Sequence, residues 1–202
     1  MSQITKIEKQ SKNKDRVNIF LDGEFCLGCS VELMVKFNLK ENKEISEHEL
    51  EQLVFENEKS LALKKAVELL GKNLKTKSQM KKYLKDKGYL PQIVDYVLEK
   101  LCEYNYINDE NYAKIYVRSV KNKYGKLKII NELKAKGVSV SDINAVMDSF
   151  ETEEEVVFNL AEKYLKNKEI NFETLSKLYR FLISKGFEYD LVLSVVNKFK
   201  ES

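Results

Sequence analysis

The sequence predicts a mainly α-helical protein: three tandem three-helix repeats forming an elongated curved solenoid, preceded by a small N-terminal β-hairpin and α extension. Three observations carry this. A Lys-Gly pair recurs as Lys87-Gly88, Lys136-Gly137 and Lys185-Gly186 with a constant separation of 49 residues, and a fixed period of this size marks a repeat architecture. The flanks keep the same register without gaps. A leucine stands four residues before each glycine (Leu84, Leu133, Leu182), and after it come Val94, Ile143 and Val192, then Val97, Val146 and Val195, then Leu101, Phe150 and Phe199. Finally, the only proline is Pro91 and glycine is sparse after the N-terminal region, so little interrupts long amphipathic helices.

The N-terminal extension is read first. Ile4–Lys9 and Arg16–Leu21 alternate apolar and polar residues, and the polar QSKNKD between them supplies a turn. Asp22-Gly23 is a two-residue turn signal that returns Glu24–Cys29 as a third strand. Ser30 caps a short helix over Val31–Phe37. A small sheet needs a cover for its apolar face, and a helix from Ser46 to Asn57, with Leu50, Leu53 and Val54 on one side, is expected to provide it.

Each repeat then divides into three helices. In the first, a helix runs from Ser60 to Leu70, Thr76–Gln79 is a capping box opening a second helix to Lys87, and Pro91 opens a third that ends near Tyr104. In the second, Asn108 and Asp109 open a helix to Lys121, a basic loop leads to a helix over Tyr124–Lys136, and Ser139 caps the last one to Phe150. In the third, Thr152–Glu155 is a further capping box before helices to Lys166, from Asn171 to Lys185, and from Tyr189 to Lys200. The expected divisions are 1–58, 59–107, 108–151 and 152–202. Each glycine ends a middle helix, where positive φ is cheapest without a Cβ. Three-helix repeats leave an apolar face that only a neighbour covers, which makes them stack.

Charge narrows the function. Residues 59–136 hold 19 basic and 8 acidic side chains, whereas 1–58 and 137–202 each hold 8 basic and 12 acidic. A segment with that field attracts polyanions: nucleic acid, a membrane surface or an acidic protein face. No apolar run is long enough to cross a bilayer and no signal core opens the chain, so a cytoplasmic protein is expected. Catalytic motifs are missing, and His48 is the only histidine, read as a solvated residue in a helix's first turn. Cys26 and Cys29 form a C-x-x-C without a second ligand pair; with Cys102 they read as half-buried packing thiols. No catalytic residue, metal or cofactor is expected.

The candidate binding residues are Arg118, Lys121, Lys123, Lys126 and Lys128 around the first loop of the second repeat, with Lys72, Lys75, Lys77, Lys81 and Lys82 at the equivalent place in the first. Stacking should set them on neighbouring edges as one basic ridge. Among the tyrosines, which at helical spacing belong mostly to core edges, Tyr124 is the best candidate for stacking on a base because it sits between Lys123 and Gly125.

The string Tyr116-Val117-Arg118-Ser119, Tyr124-Gly125, Ile129 or Ile130, Glu132-Leu133 and Lys136-Gly137-Val138 resembles the RecX family of bacterial recombination regulators. Leu69-Leu70, Ser78-Gln79 to Leu84, Lys87-Gly88-Tyr89 and Tyr104–Asp109 resemble that family's first repeat and its junction to the second. Ile4–Glu8 with Leu21–Phe25 resembles the β extension of members from Gram-positive bacteria. The resemblance spans nearly the whole chain. It implies a non-enzymatic monomer that lies in the groove of the RecA filament on single-stranded DNA and inhibits ATP hydrolysis, strand exchange and filament growth, modulating DNA repair, recombination and the SOS response. The third repeat keeps the core pattern in Leu178–Leu182 but lacks the basic cluster. A direct DNA-binding protein built of helix-turn-helix-like units, or weak DNA contact alongside the filament, stays open, although lysine reads charge more than base edges.

Overall fold

Alternation in the first thirty residues builds three strands of a four-stranded antiparallel sheet in the order β3-β2-β1-β4, with β1 Ser2–Gln10, β2 Asn13–Leu21, β3 Glu24–Ser30 and, later in the chain, β4 Glu44–Ile45. The computed structural model describes residues 1–148, 150–152 and 154–200. β1 and β2 are joined by Ser11-Lys12 alone, because Gln10 pairs with Asn13; the expected six-residue turn is mostly strand. Asp22 and Gly23 both have positive φ (51° and 91°), the type I′ geometry that matches strand twist. Ser30 caps α1, Val31–Lys36, by accepting from the Leu33 N–H. Ile4, Val17, Ile19, Cys29, Leu33, Leu39, Ile45 and Leu53 form one buried cluster. The two-residue β4 carries too little alternation to be seen in the sequence.

The chain divides into two compact units, Met1–Lys72 with Tyr83–Glu103 and Asn73–Lys82 with Tyr104–Ser202. In the first unit the expected cover helix and the first helix of repeat one are a single 24-residue helix, α2, Glu47–Leu70, rather than two. No glycine or proline breaks it, and Lys59 fastens its middle, 2.6 Å from Glu56 and with its ammonium 4.2 Å from the Tyr96 ring centroid. Ser60, expected to open a helix, is therefore interior. Leu53 enters the sheet core and Leu50 flanks it, but Val54 is 41% exposed and leaves the expected face. The N-terminus of α2 is a full capping box between Ser46 and Glu49, which holds the Glu49 carboxyl below its ordinary range. α4, Pro91–Glu103, packs on α2 through Ile93, Val94, Val97, Leu98 and Leu101.

The middle helix of repeat one, α3, Lys77–Asp86, begins in the second unit. Repeat two follows as α5 Asp109–Val120, α6 Lys126–Ala135 and α7 Val140–Met147, and repeat three as α8 Glu154–Leu165, α9 Phe172–Ser184 and α10 Tyr189–Lys200. Their cores are the periodic positions: Ala113, Val117, Ile129, Leu133, Val138, Ile143 and Met147 in one, and Val157, Ala161, Leu165, Leu178, Leu182, Phe187, Val192, Val195 and Val196 in the other. Gly88, Gly137 and Gly186 have φ of 82°, 79° and 82°, so the 49-residue period is a structural equivalence. Of the expected Thr152–Glu155 capping box, Glu153 lies outside the described residues.

Candidate binding surface

The middle helices of successive repeats are joined end to end. The Thr76 hydroxyl, at the start of α3, donates to the Lys136 carbonyl at the end of α6 at 2.6 Å. At the next junction the Gly125 N–H, at the start of α6, donates to the Lys185 carbonyl at the end of α9 at 2.9 Å, and the Leu127 N–H reaches the Gly186 carbonyl at 3.3 Å. Thr76 and Gly125 are one period apart, as are Lys136 and Lys185. Orphan N–H groups at one helix start thus face orphan carbonyls at another's end, with both dipoles aligned favourably.

The candidate cations stand around these junctions. Lys77 is the first residue of α3, and its N–H donates to the Asp109 carboxylate at 2.8 Å. Burial pushes the Asp109 carboxyl up, an effect the Lys77 N–H partly offsets. Lys126 and Lys128 occupy the first turn of α6, whose N-cap Gly125 offers no side chain. A cation in a helix's first turn opposes the dipole; α6 has no acidic residue there to compensate, while α3, with none in its own turn, has the Asp109 carboxylate at its first N–H. The first turn of α9, which begins three residues earlier in the period, carries Glu173 and an Asn171 cap that accepts from the Thr174 N–H. The start of α6 therefore accepts an electrostatic cost that α9 avoids and that Asp109 relieves at α3.

Arg118 lies in the last turn of α5, where a cation suits the dipole, and Lys121 is its C-cap. Arg118, Lys121 and Lys123 are exposed and form no ion pair among the described residues. Lys75, Lys126 and Lys128 are half-buried, while Lys77, Lys81 and Lys82 are exposed. These nine cations all belong to the second compact unit, and Lys72 belongs to the first. Tyr124, expected as a stacking platform, is half-buried against the repeat-two core, with the Lys128 and Lys185 ammoniums 4.6 Å and 5.3 Å from its ring centroid. It holds two cations in place across a junction. Along α6 the two basic corners are separated by roughly 15 Å, ten residues at the helical rise.

Sequence reasoning missed the residues that make the junctions: Thr76 as a bridge between repeats, Asp109 as a cap for the preceding repeat, and Gly125 and Gly186 as a backbone contact. The available signal was Gly125 itself, a glycine where the first repeat has a threonine N-cap. Elsewhere, His48 is exposed in the first turn of α2, its Nε2 3.0 Å from the Gln52 amide nitrogen. Cys29 is buried and Cys26 half-buried, and burial raises both thiols. Among the described residues no cluster of His, Cys, Asp and Glu is placed to hold a metal, and no helix is long and apolar enough to cross a membrane.

Family models described as the regulatory protein RecX N-terminal domain and the first, second and third RecX three-helix domains match residues 2–46, 62–101, 108–147 and 151–196 respectively. The chain is 38% identical to a protein named regulatory protein RecX from Clostridium beijerinckii, over 98% of this chain and 96% of that one. It is 35% identical to one of the same name from Clostridium perfringens, with the same coverage. A solved crystal structure of regulatory protein RecX aligns with a TM-score of 0.77 at 26% identity, covering 98% of this chain and all of the other.

Proposed function

The chain belongs to the RecX family of regulatory proteins, and from that premise we propose that it binds in the groove of the RecA filament on single-stranded DNA and inhibits its ATP hydrolysis, strand exchange and growth. It does this in the cytoplasm, as a regulator and not an enzyme. One observation carries the reading: Lys126 and Lys128 sit in the first turn of α6, where they oppose the helix dipole and the turn holds no acidic residue. A charge kept at a cost to the fold has work outside it. Lys75, Lys77, Lys81 and Lys82 at one corner, and Arg118, Lys121, Lys123, Lys126 and Lys128 at the next, are the filament-facing residues in this reading. Lys72 joins them, and Tyr124 fixes the direction of Lys128.

The test is comparative, because salt weakens attachment to phosphate and to an acidic protein groove alike. A chain carrying Arg118→Glu and Lys123→Glu should lose inhibition of filament ATP hydrolysis by at least about tenfold, a few kcal/mol for two desolvated charges reversed, with its melting temperature unchanged. Wild type should bind RecA-coated single strands more tightly than naked ones. Equal affinity for naked DNA would replace this reading with direct DNA binding. Inhibition by the reversed chain would remove the basic corners from the interface.

A further inference from the structure

Within the chain, each junction seats the start of a middle helix on the Lys-Gly turn of the following repeat. Among the described residues two such elements are left without a mate: the Lys87-Gly88 turn of repeat one and the start of α9 in repeat three. The glycines record this. A Cβ added at Gly137 or Gly186 would meet the preceding repeat inside 3.0 Å, whereas at Gly88 it would meet nothing within 4 Å.

Both unmated ends present apolar surface with opposite charge. On repeat three, Ile170, Phe172, Leu175 and Tyr179 line a concavity of about 580 Å³ rimmed by Arg180 and Lys200, and Phe172 is 88% exposed. Here α9 starts one turn earlier than its equivalents, at Asn171 rather than Thr174, so Ile170 and Phe172 project beyond the position where α3 and α6 begin. In the first unit, Val54, Phe55 and Leu90 line a groove of about 510 Å³ rimmed by Glu47, Glu51 and Glu58, and Leu90, two residues after Gly88, is 53% exposed.

We infer that the repeat-three end of one molecule docks on the repeat-one groove of a second copy. Apolar side chains would fill the acidic groove while Arg180 and Lys200 meet its glutamates. Such a contact joins two different surfaces, and because heterologous contacts run on unless their rotation closes a ring, an open groove and an open end are expected on each assembly. The faces are small, so the protein is a monomer when dilute and associates as concentration rises.

Sedimentation velocity on the full chain tests this without any filament or DNA. Wild-type weight-average mass should rise past that of a dimer between about 10 µM and 1 mM, the weak end of the affinity scale, and fall back in high salt. Phe172→Asp removes the docking end, and Leu90→Asp removes the groove while placing a favourable residue at the start of α4. Each alone should stay monomeric with an unchanged circular dichroism spectrum, and an equimolar mixture of the two should form dimers and nothing larger. A wild type that stays monomeric, one that stops at a dimer, or a mixture that stays monomeric would each overturn the inference.

Discussion

The two junctions of the second compact unit solve one problem with different chemistry. Between repeats one and two the contact runs through side chains: the Thr76 hydroxyl to the Lys136 carbonyl, and Asp109 to the Lys77 N–H. Between repeats two and three it runs backbone to backbone, through Gly125 and Gly186. In both cases a middle-helix start is placed on a Lys-Gly turn one period on. Geometry is held constant while composition drifts, because what must be satisfied is a set of orphan N–H and C=O groups, and a hydroxyl or a closely approaching glycine serves equally.

The sharpest way to break this comparison is to add a methyl group to each turn. Gly186→Ala incurs both a positive φ and a clash with the Lys128 backbone, and should cost roughly 3 kcal/mol. Gly88→Ala incurs the positive φ alone and should cost about 1 kcal/mol. Denaturant unfolding that ranks the two equally would mean that the repeat-three junction yields freely.

A smaller effect tests the side-chain junction. Thr76→Ala removes an N-cap and leaves the half-buried Lys136 carbonyl without that donor, and should destabilise by about 1 to 2 kcal/mol. Thr76→Ser should recover most of that loss, since only the hydroxyl is used. Recovery by Thr76→Val instead would assign the site to packing.

The smallest effect is a pH dependence at Asp109. Its folded carboxyl holds a proton more tightly than the unfolded one because burial disfavours the charge. Folding therefore takes up a proton between the unfolded and folded values, so this contribution is greatest at acid pH, declines as pH rises from about 4, and is flat above the folded value. Asp109→Asn keeps an acceptor for the Lys77 N–H and should match wild type at acid pH while removing the decline, so that the variant is the more stable chain as pH approaches 7. The comparison to make is stability against pH for the two chains between pH 3 and 7.

The cores were legible in the sequence. Leu84, Leu133 and Leu182 are fully buried, as are Val94 and Val192, with Ile143 nearly so, because apolar periodicity is a local property of a helix face and needs no knowledge of the neighbour. The hairpin turn at Asp22-Gly23 and the caps at Ser30, Thr76, Asn108, Ser139 and Asn171 were legible for the same reason, since each works across three or four residues. The continuity of α2 was not. Glu58-Lys59-Ser60 has no strong helix signal and no breaker, and a run without either is settled by what it packs on, here through Lys59 and Tyr96.

By itself, then, the sequence determined three equivalent helical repeats behind a small sheet, their buried positions, and a concentration of lysine in the first two. Tertiary structure alone decided that Thr76 reaches across sixty residues to Lys136, that Tyr124 faces two lysines rather than solvent, and that Gly125 meets Gly186. The physical reason is range. Helix faces and caps are written in spacings of three and four residues, whereas a junction between repeats is a meeting of backbone groups that leaves no side-chain pattern until the chain has folded them together.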